Sequence, residues 1–112
     1  DTTDREEAVY EHDAKIAETL SYINDHIAQD LTVEELAGRV FLSKYYFMRR
    51  FRECTGYTVH HYIQQKRLLL AVQFIRSGMP FMQAAAKCGF HDYSSFSRAF
   101  KKTFHVAPGK FR

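Results

Sequence analysis

The five-residue pattern Phe-x-Arg-x-Phe occurs twice in this chain, as residues 47–51 and again 49 residues later as residues 96–100. Each residue of an α-helix advances about 100°, so the two phenylalanines of each copy lie about 40° apart and form one apolar stripe. The arginine between them, Arg49 or Arg98, falls about 180° from that stripe. The same wheel places Tyr45, Arg49 and Arg52 on the outer face of the first copy. Ser94, Arg98 and Lys101 take the matching positions of the second. Two helices therefore share one design, with an aromatic side to pack and a polar, cationic side to meet something anionic.

The distribution of charge supports that division. Residues 1–37 hold eleven acids and two bases, Arg5 and Lys15, for a net −9. Residues 38–112 hold fourteen bases and two acids, Glu53 and Asp92, for a net +12, which together give the chain's +3. Such asymmetry points to a surface for nucleic acid or membrane, the alternative being a solvated basic face. No apolar run approaches the roughly 20 residues a membrane span needs, so no membrane partner is expected. The opening Asp1-Thr2-Thr3-Asp4 lacks the basic and apolar regions of a signal peptide and has no initiator methionine. A cytoplasmic fragment of a longer protein is the expectation.

Other chemistries find little support. Cys54 and Cys88 are too few and too far apart for a zinc site and are read as buried thiols. Adjacent His60 and His61 would point about 100° apart on a helix, which disfavours a shared metal ion. No metal site and no cofactor are expected. Without a Ser/His/Asp spacing, a paired carboxylate motif or a glycine-rich phosphate loop, the chain is not read as an enzyme.

Helical periodicity covers the rest. Residues 1–12 are read as a linker or frayed helix start from a missing N-terminal domain. Ile16, Leu20, Ile23 and Ile27 mark a first helix from Asp13 to about Gln29-Asp30. Thr32-Val33-Glu34-Glu35 is a capping box opening a short second helix, with Val33, Leu36 and Ala37 inward. Ser43 can cap a third helix over about 43–54, which Gly56 stops. Thr58 can cap a fourth helix running to Ser77 before Gly78, and about 19 residues would span roughly 28 Å. Pro80 stands near the start of a fifth helix, Phe81 to Cys88, and a sixth covers about 92–103. A last turn follows Pro108. Short helix, short turn and longer basic helix outline a helix-turn-helix unit. The outline recurs: Phe81, Ala84 and Ala85 match Val33, Leu36 and Ala37 at an offset of 48, and the motif residues match at 49. One residue is therefore inserted near Gly89-Phe90-His91. The expected fold is all-α, about seven helices. Residues 13–57 and 78–112 form two helix-turn-helix subdomains joined by a linker helix, 58–77.

With both units in view, the chain resembles the DNA-binding domain of the AraC/XylS family of bacterial transcription regulators. The resemblance rests on Gly89-Phe90-x-Asp92-x-Ser94-x-Phe96-Ser97-Arg98-x-Phe100-Lys101-Lys102 and on Pro108-x-x-Phe111-Arg112. In the first half it rests on Leu36-Ala37, Ser43, Phe47-x-Arg49-x-Phe51-Arg52, Gly56, Tyr62-Ile63 and Arg67-Leu68. It runs from about Ala14 to Arg112. It implies an AraC-type domain over residues 13–112, with the third and sixth helices in successive major-groove segments of a promoter site. It further implies double-stranded DNA as partner, RNA polymerase nearby, a nucleoid-associated location, and an N-terminal effector or dimerisation domain. Three residues depart from the family pattern. Val59 replaces a frequent proline, His105 a frequent glycine, and Ala84 a frequent larger aliphatic.

On this reading Arg49 and Arg98 reach guanine O6 and N7 with two donors each, a geometry lysine lacks. The alternative for each is a phosphate contact or a surface ion pair. Tyr45, Met48, Ser94 and Ser97 flank them as further base contacts, although Tyr45 and Met48 fit ordinary surface or partial core equally well. Tyr93 joins this set with a partly buried ring as its rival. Ser43, Lys44, Arg52, Lys101 and Lys102 are assigned to phosphates, which set affinity and salt dependence without reading sequence. Phe47, Phe51, Phe96 and Phe100 are assigned to the core. A protein-docking module and a non-specific DNA binder are the competing functions.

Overall fold

The computed structural model describes residues 2–111, with side chains from residue 12 onward. Every regular element among the described residues is helical: α1 (Thr2–Asp25), α2 (Val33–Arg39), α3 (Lys44–Thr55), α4 (Val59–Arg76), α5 (Phe81–Lys87) and α6 (Tyr93–Phe104). A 3-10 turn, Pro108–Lys110, follows. The chain divides into two compact units. The first holds Asp1–His26 and Leu31–Tyr62; the second holds Ile27–Asp30 and Ile63–Arg112. The boundary thus falls inside α4, whose two ends belong to different units. Val59 is buried and Tyr62 packs edge-on against Phe51 in the first unit. Leu68, Ala71 and Ile75 belong to the core of the second.

In the first unit α3 packs on α1 and α2. Ile16, Ile23, Leu36, Ala37, Val40, Phe47 and Phe51 are buried there, as the apolar spacing required. Val33, expected inward, is half-buried, because it opens α2 at the surface. α1 begins at Thr2, in keeping with the helix-start alternative for this stretch, which contains no glycine or proline to interrupt it. The helix stops at Asp25, four residues before Gln29. The Arg67 guanidinium donates to the backbone carbonyls of Ile27, at 2.9 Å, and Gln29, at 2.7 Å, and fixes this segment within the second unit.

The second unit is built around Phe96 and Phe100, both fully buried among Leu68, Ala71, Ile75, Ala84, Ala85, Cys88 and Ala99. Phe100 sits 4.6 Å from Phe104 and 5.2 Å from Phe111, centroid to centroid, so the chain's end closes over the motif. Cys88 is buried, as expected, but Cys54 is exposed. Its wheel position, about 20° from Phe47, faces the core, but it lies in the last turn of α3, where the helix end leaves it open. There its thiol donates to Asp13 at 3.1 Å.

The internal repeat holds at the level of single hydrogen bonds. The Phe41 and Leu42 amides donate to the carbonyls of Gly38 and Ala37. At an offset of 48, the Gly89 and Phe90 amides donate to those of Ala86 and Ala85. The next helix caps are Ser43 and Asp92, an offset of 49, so the inserted residue lies between Phe90 and Asp92, at His91.

Candidate nucleic-acid interface

Each outer helix begins with a side-chain cap. The Ser43 hydroxyl accepts the Tyr46 amide at 3.3 Å, and the Asp92 carboxylate accepts the Ser95 amide at 2.7 Å. Each ends in a left-handed residue, Gly56 at φ 82° and His105 at φ 66°, whose amide returns to the carbonyl four residues earlier. Between these stops the Phe-x-Arg-x-Phe pattern fixes the rotation of the helix. With Phe47, Phe51, Phe96 and Phe100 all 0% exposed, the opposite residues have no choice but to face outward.

The two arginines are exposed, as the wheel required. Each touches a residue about one turn before it. The Arg49 guanidinium lies 5.4 Å over the Tyr46 ring, and Arg98 donates to the Ser95 hydroxyl at 3.5 Å. Both of those neighbours are anchored: the Tyr46 hydroxyl bonds His12 Nδ1 on α1, and the Ser95 hydroxyl donates to Asp92 at 3.0 Å. Ser95's hydrogen bonds, the amide bond first, hold the Asp92 carboxyl below its ordinary pKa, so it stays an acceptor.

Tyr45 is 81% exposed, and Met48 and Ser94 also face solvent. Ser97 is half-buried. Tyr93 stands at the border, partly exposed but with its ring 5.8 Å from Phe96 and packed on the core. Among the residues assigned to phosphates, Ser43, Arg52, Lys101 and Lys102 are exposed. Lys44 is exposed but engaged, its ammonium 2.8 Å from the Glu34 carboxylate. Met48, Arg49, Arg52, Glu53, Thr58 and Val59 line an open depression of about 470 Å³ beside α3. The candidate residues of the first unit thus share one face, and those of α6 share another in the second.

Sequence reasoning missed Arg50. It pairs with Asp13 on α1 and, at 2.9 Å, with Glu53 one turn on. Its side chain is 19% exposed, and its Nε is buried without a hydrogen-bond partner among the described residues. The signal was available: Arg50 falls about 60° from Phe47, on the flank of the apolar stripe and away from Arg49. It orients α3 on α1 and is not a free cation of the outer face. The Asp13 carboxyl is lowered first by the Cys54 thiol and then by Arg50.

Comparison with known proteins matches this architecture. A family model described as a helix-turn-helix domain covers residues 36–112. The regulatory protein SoxS of Escherichia coli K12 is 34% identical over 102 residues, which span 90% of this chain and 95% of SoxS. The chain belongs to the AraC/XylS family. The regulatory protein PocR of Salmonella typhimurium, another similar protein, is 31% identical over 102 residues, 90% of this chain. The match spans only 34% of PocR's length, about a third. Among solved structures, the DNA-binding domain of AdpA in complex with a target DNA superposes with a TM-score of 0.80 at 27% identity, covering 84% of this chain and 86% of that one.

The departures from the AraC/XylS pattern now have physical settings. His105 occupies a left-handed turn, the conformation that makes glycine frequent there. Val59 is 3% exposed and fills the first core where a proline would have stiffened the entry to α4. Ala84 is 0% exposed beneath α6, its small volume matched by the large rings of Phe96 and Phe100.

Proposed function

We propose that this domain regulates transcription by binding double-stranded DNA, with α3 and α6 entering successive major-groove segments of a promoter site. The observation that carries this reading is the pair of exposed arginines, Arg49 and Arg98, each set opposite a fully buried phenylalanine pair. An α-helix fits the major groove, and a guanidinium can grip guanine by two bonds. Tyr45, Met48, Ser94, Ser97 and the exposed edge of Tyr93 flank the arginines as further base contacts. Ser43, Arg52, Lys101 and Lys102 supply phosphate contacts, and Lys44 does so once released from Glu34. The DNA complex of the similar AdpA domain supports the ligand class.

RNA polymerase is the proposed protein partner at such a promoter, and the nucleoid within the bacterial cytoplasm the proposed location. PocR, of which the domain makes up a third, supports an additional sensing or dimerising domain. SoxS, nearly all of which the domain spans, represents the stand-alone alternative. The size of the natural polypeptide in cell extract separates the two.

The deciding test is selection of sites from a random duplex library, followed by Arg49→Ala and Arg98→Ala. Each substitution is expected to erase discrimination at its own cluster of base pairs, by about 1–3 kcal/mol. An asymmetric motif with two clusters about one helical turn apart is the expected selection product. Equal binding to all duplexes would replace this reading with a non-specific binder. No duplex binding at low salt would leave a protein-docking surface.

A further inference from the structure

We propose that Glu34 acts as a built-in stand-in for a DNA phosphate, occupying Lys44 and withholding it from the DNA backbone. The proposal rests on the DNA-binding reading above. Glu34 sits in the first turn of α2 and Lys44 is the first residue of α3. The chain between them crosses the turn of the first helix-turn-helix, and the fold brings the two charges to 2.8 Å. Both side chains are exposed, 64% for Glu34 and 45% for Lys44, so the pair lies open to an incoming duplex. The Glu34 carboxyl is held below its ordinary pKa chiefly by the Lys44 hydrogen bond, and Lys44 is raised chiefly by Glu34, so both stay charged.

At the matching positions the second unit has no such pair among the described residues. The repeat places Met82 at the position of Glu34 and Tyr93 at that of Lys44, and Met82 is 70% exposed. The two halves of an otherwise matched repeat therefore differ at this point. Lys101 and Lys102 of α6, for which no ion pair is seen among the described residues, meet phosphate without an internal rival.

The consequence is electrostatic. A phosphate that takes Lys44 leaves the Glu34 carboxylate unpaired within a few ångströms of another anion, so the exchange gains little. A lysine that displaces a condensed counterion contributes about 0.9 to the slope of log K against log salt. Lys44 contributes far less while Glu34 must recover a cation in exchange.

The test measures binding of the domain to one mixed-sequence duplex across a salt series. Glu34→Gln is expected to tighten binding roughly three- to tenfold near physiological salt and to steepen the slope by up to about 0.9. Glu35→Gln removes the same charge from the same turn without touching Lys44 and is expected to change affinity less than twofold. Adding Lys44→Ala to Glu34→Gln is expected to abolish the gain. Lys44→Ala is also expected to cost less in the wild-type background than in the Glu34→Gln background. Equal effects of Glu34→Gln and Glu35→Gln would show a net-charge effect and overturn the proposal. So would a Glu34→Gln protein that binds like the wild type. Failure of the wild type itself to bind duplex at low salt is a separate result, and it removes the DNA reading together with this one.

Discussion

Gly89 is where the fold of the second unit is most exposed to a single added methyl group. Its φ is 96°, in the left-handed region. A Cβ built there would lie 3.0 Å from Arg67 Nε and 3.1 Å from the carbonyl oxygens of both Ala28 and Ile27. Gly78 in the same unit is the matched control, since its φ is 98° and no described residue lies within 4 Å of an added Cβ. For Gly78→Ala, left-handed backbone costs about 1–2 kcal/mol, partly offset by the reduced entropy of the unfolded chain, for a net of about 1 kcal/mol. Gly89→Ala carries that same cost and adds the crowding. The backbone of residues 27 and 28 cannot withdraw without lengthening the 2.9 Å bond from Arg67 to Ile27. Hydrogen bonds to charged groups contribute about 1.5–3 kcal/mol, which brings Gly89→Ala to roughly 2–4 kcal/mol in total.

Urea and thermal unfolding followed by circular dichroism measure both variants directly. For a domain of 60–100 residues, 1 kcal/mol shifts Tm by about 4–8 °C, so the two alanines should separate by at least that much. Arg67→Ala is expected to cost less in the Gly89→Ala background than alone, because both changes cut one contact. Equal destabilisation by Gly78→Ala and Gly89→Ala would refute the crowding argument and reduce Gly89 to an ordinary helix stop.

Phe100→Ala is expected to destabilise the second unit by about 3–5 kcal/mol, read by the same unfolding curves, since the ring is fully buried between Phe96, Phe104 and Phe111. Burial pushes the Cys88 thiol from 9.0 up to about 11, with Arg67 only partly opposing. The folded state then keeps a proton that the unfolded chain loses first. This contribution is whole below pH 9 and is lost as pH rises through about 11, so Cys88→Ala should flatten the fall of stability across that window. Phe41→Gly is expected to stabilise the first unit by up to about 1 kcal/mol in denaturant melts, because Phe41 holds a φ of 60° while remaining 89% exposed.

The rotation of α3 and α6, and with it the exposure of Arg49 and Arg98, was legible because helical period alone decides it. The caps at Thr32 and Ser43 were legible for a similar local reason: a hydroxyl three residues before an amide needs no tertiary partner. What escaped were contacts whose second partner has no identity in the sequence. Arg67 grips two backbone carbonyls, and any residue offers a carbonyl. Glu34 and Lys44 meet only because a turn folds them together, and their separation along the chain matches no i,i+3 or i,i+4 spacing. The exposure of Cys54 escaped for a different reason: both cysteine's usual burial and its place on the wheel, about 20° from Phe47, point inward, and it is the end of α3 that leaves it open.

The two turns show how local and tertiary causes divide. Both make the same pair of backbone hydrogen bonds, and both require a positive φ at the same position. In the first turn that position is phenylalanine; in the second it is glycine. Turn geometry alone therefore tolerates a large side chain, provided that the side chain can point into solvent, as Phe41 does. The second turn faces the Ile27 and Ala28 carbonyls and the Arg67 side chain, which would crowd an added methyl group at 3.0–3.1 Å. Glycine at position 89 is thus demanded by the segment 27–30 and by Arg67, and the turn supplies only the preference. A single docking event, a short piece of chain held by one arginine, explains a glycine whose reason helical periodicity left out.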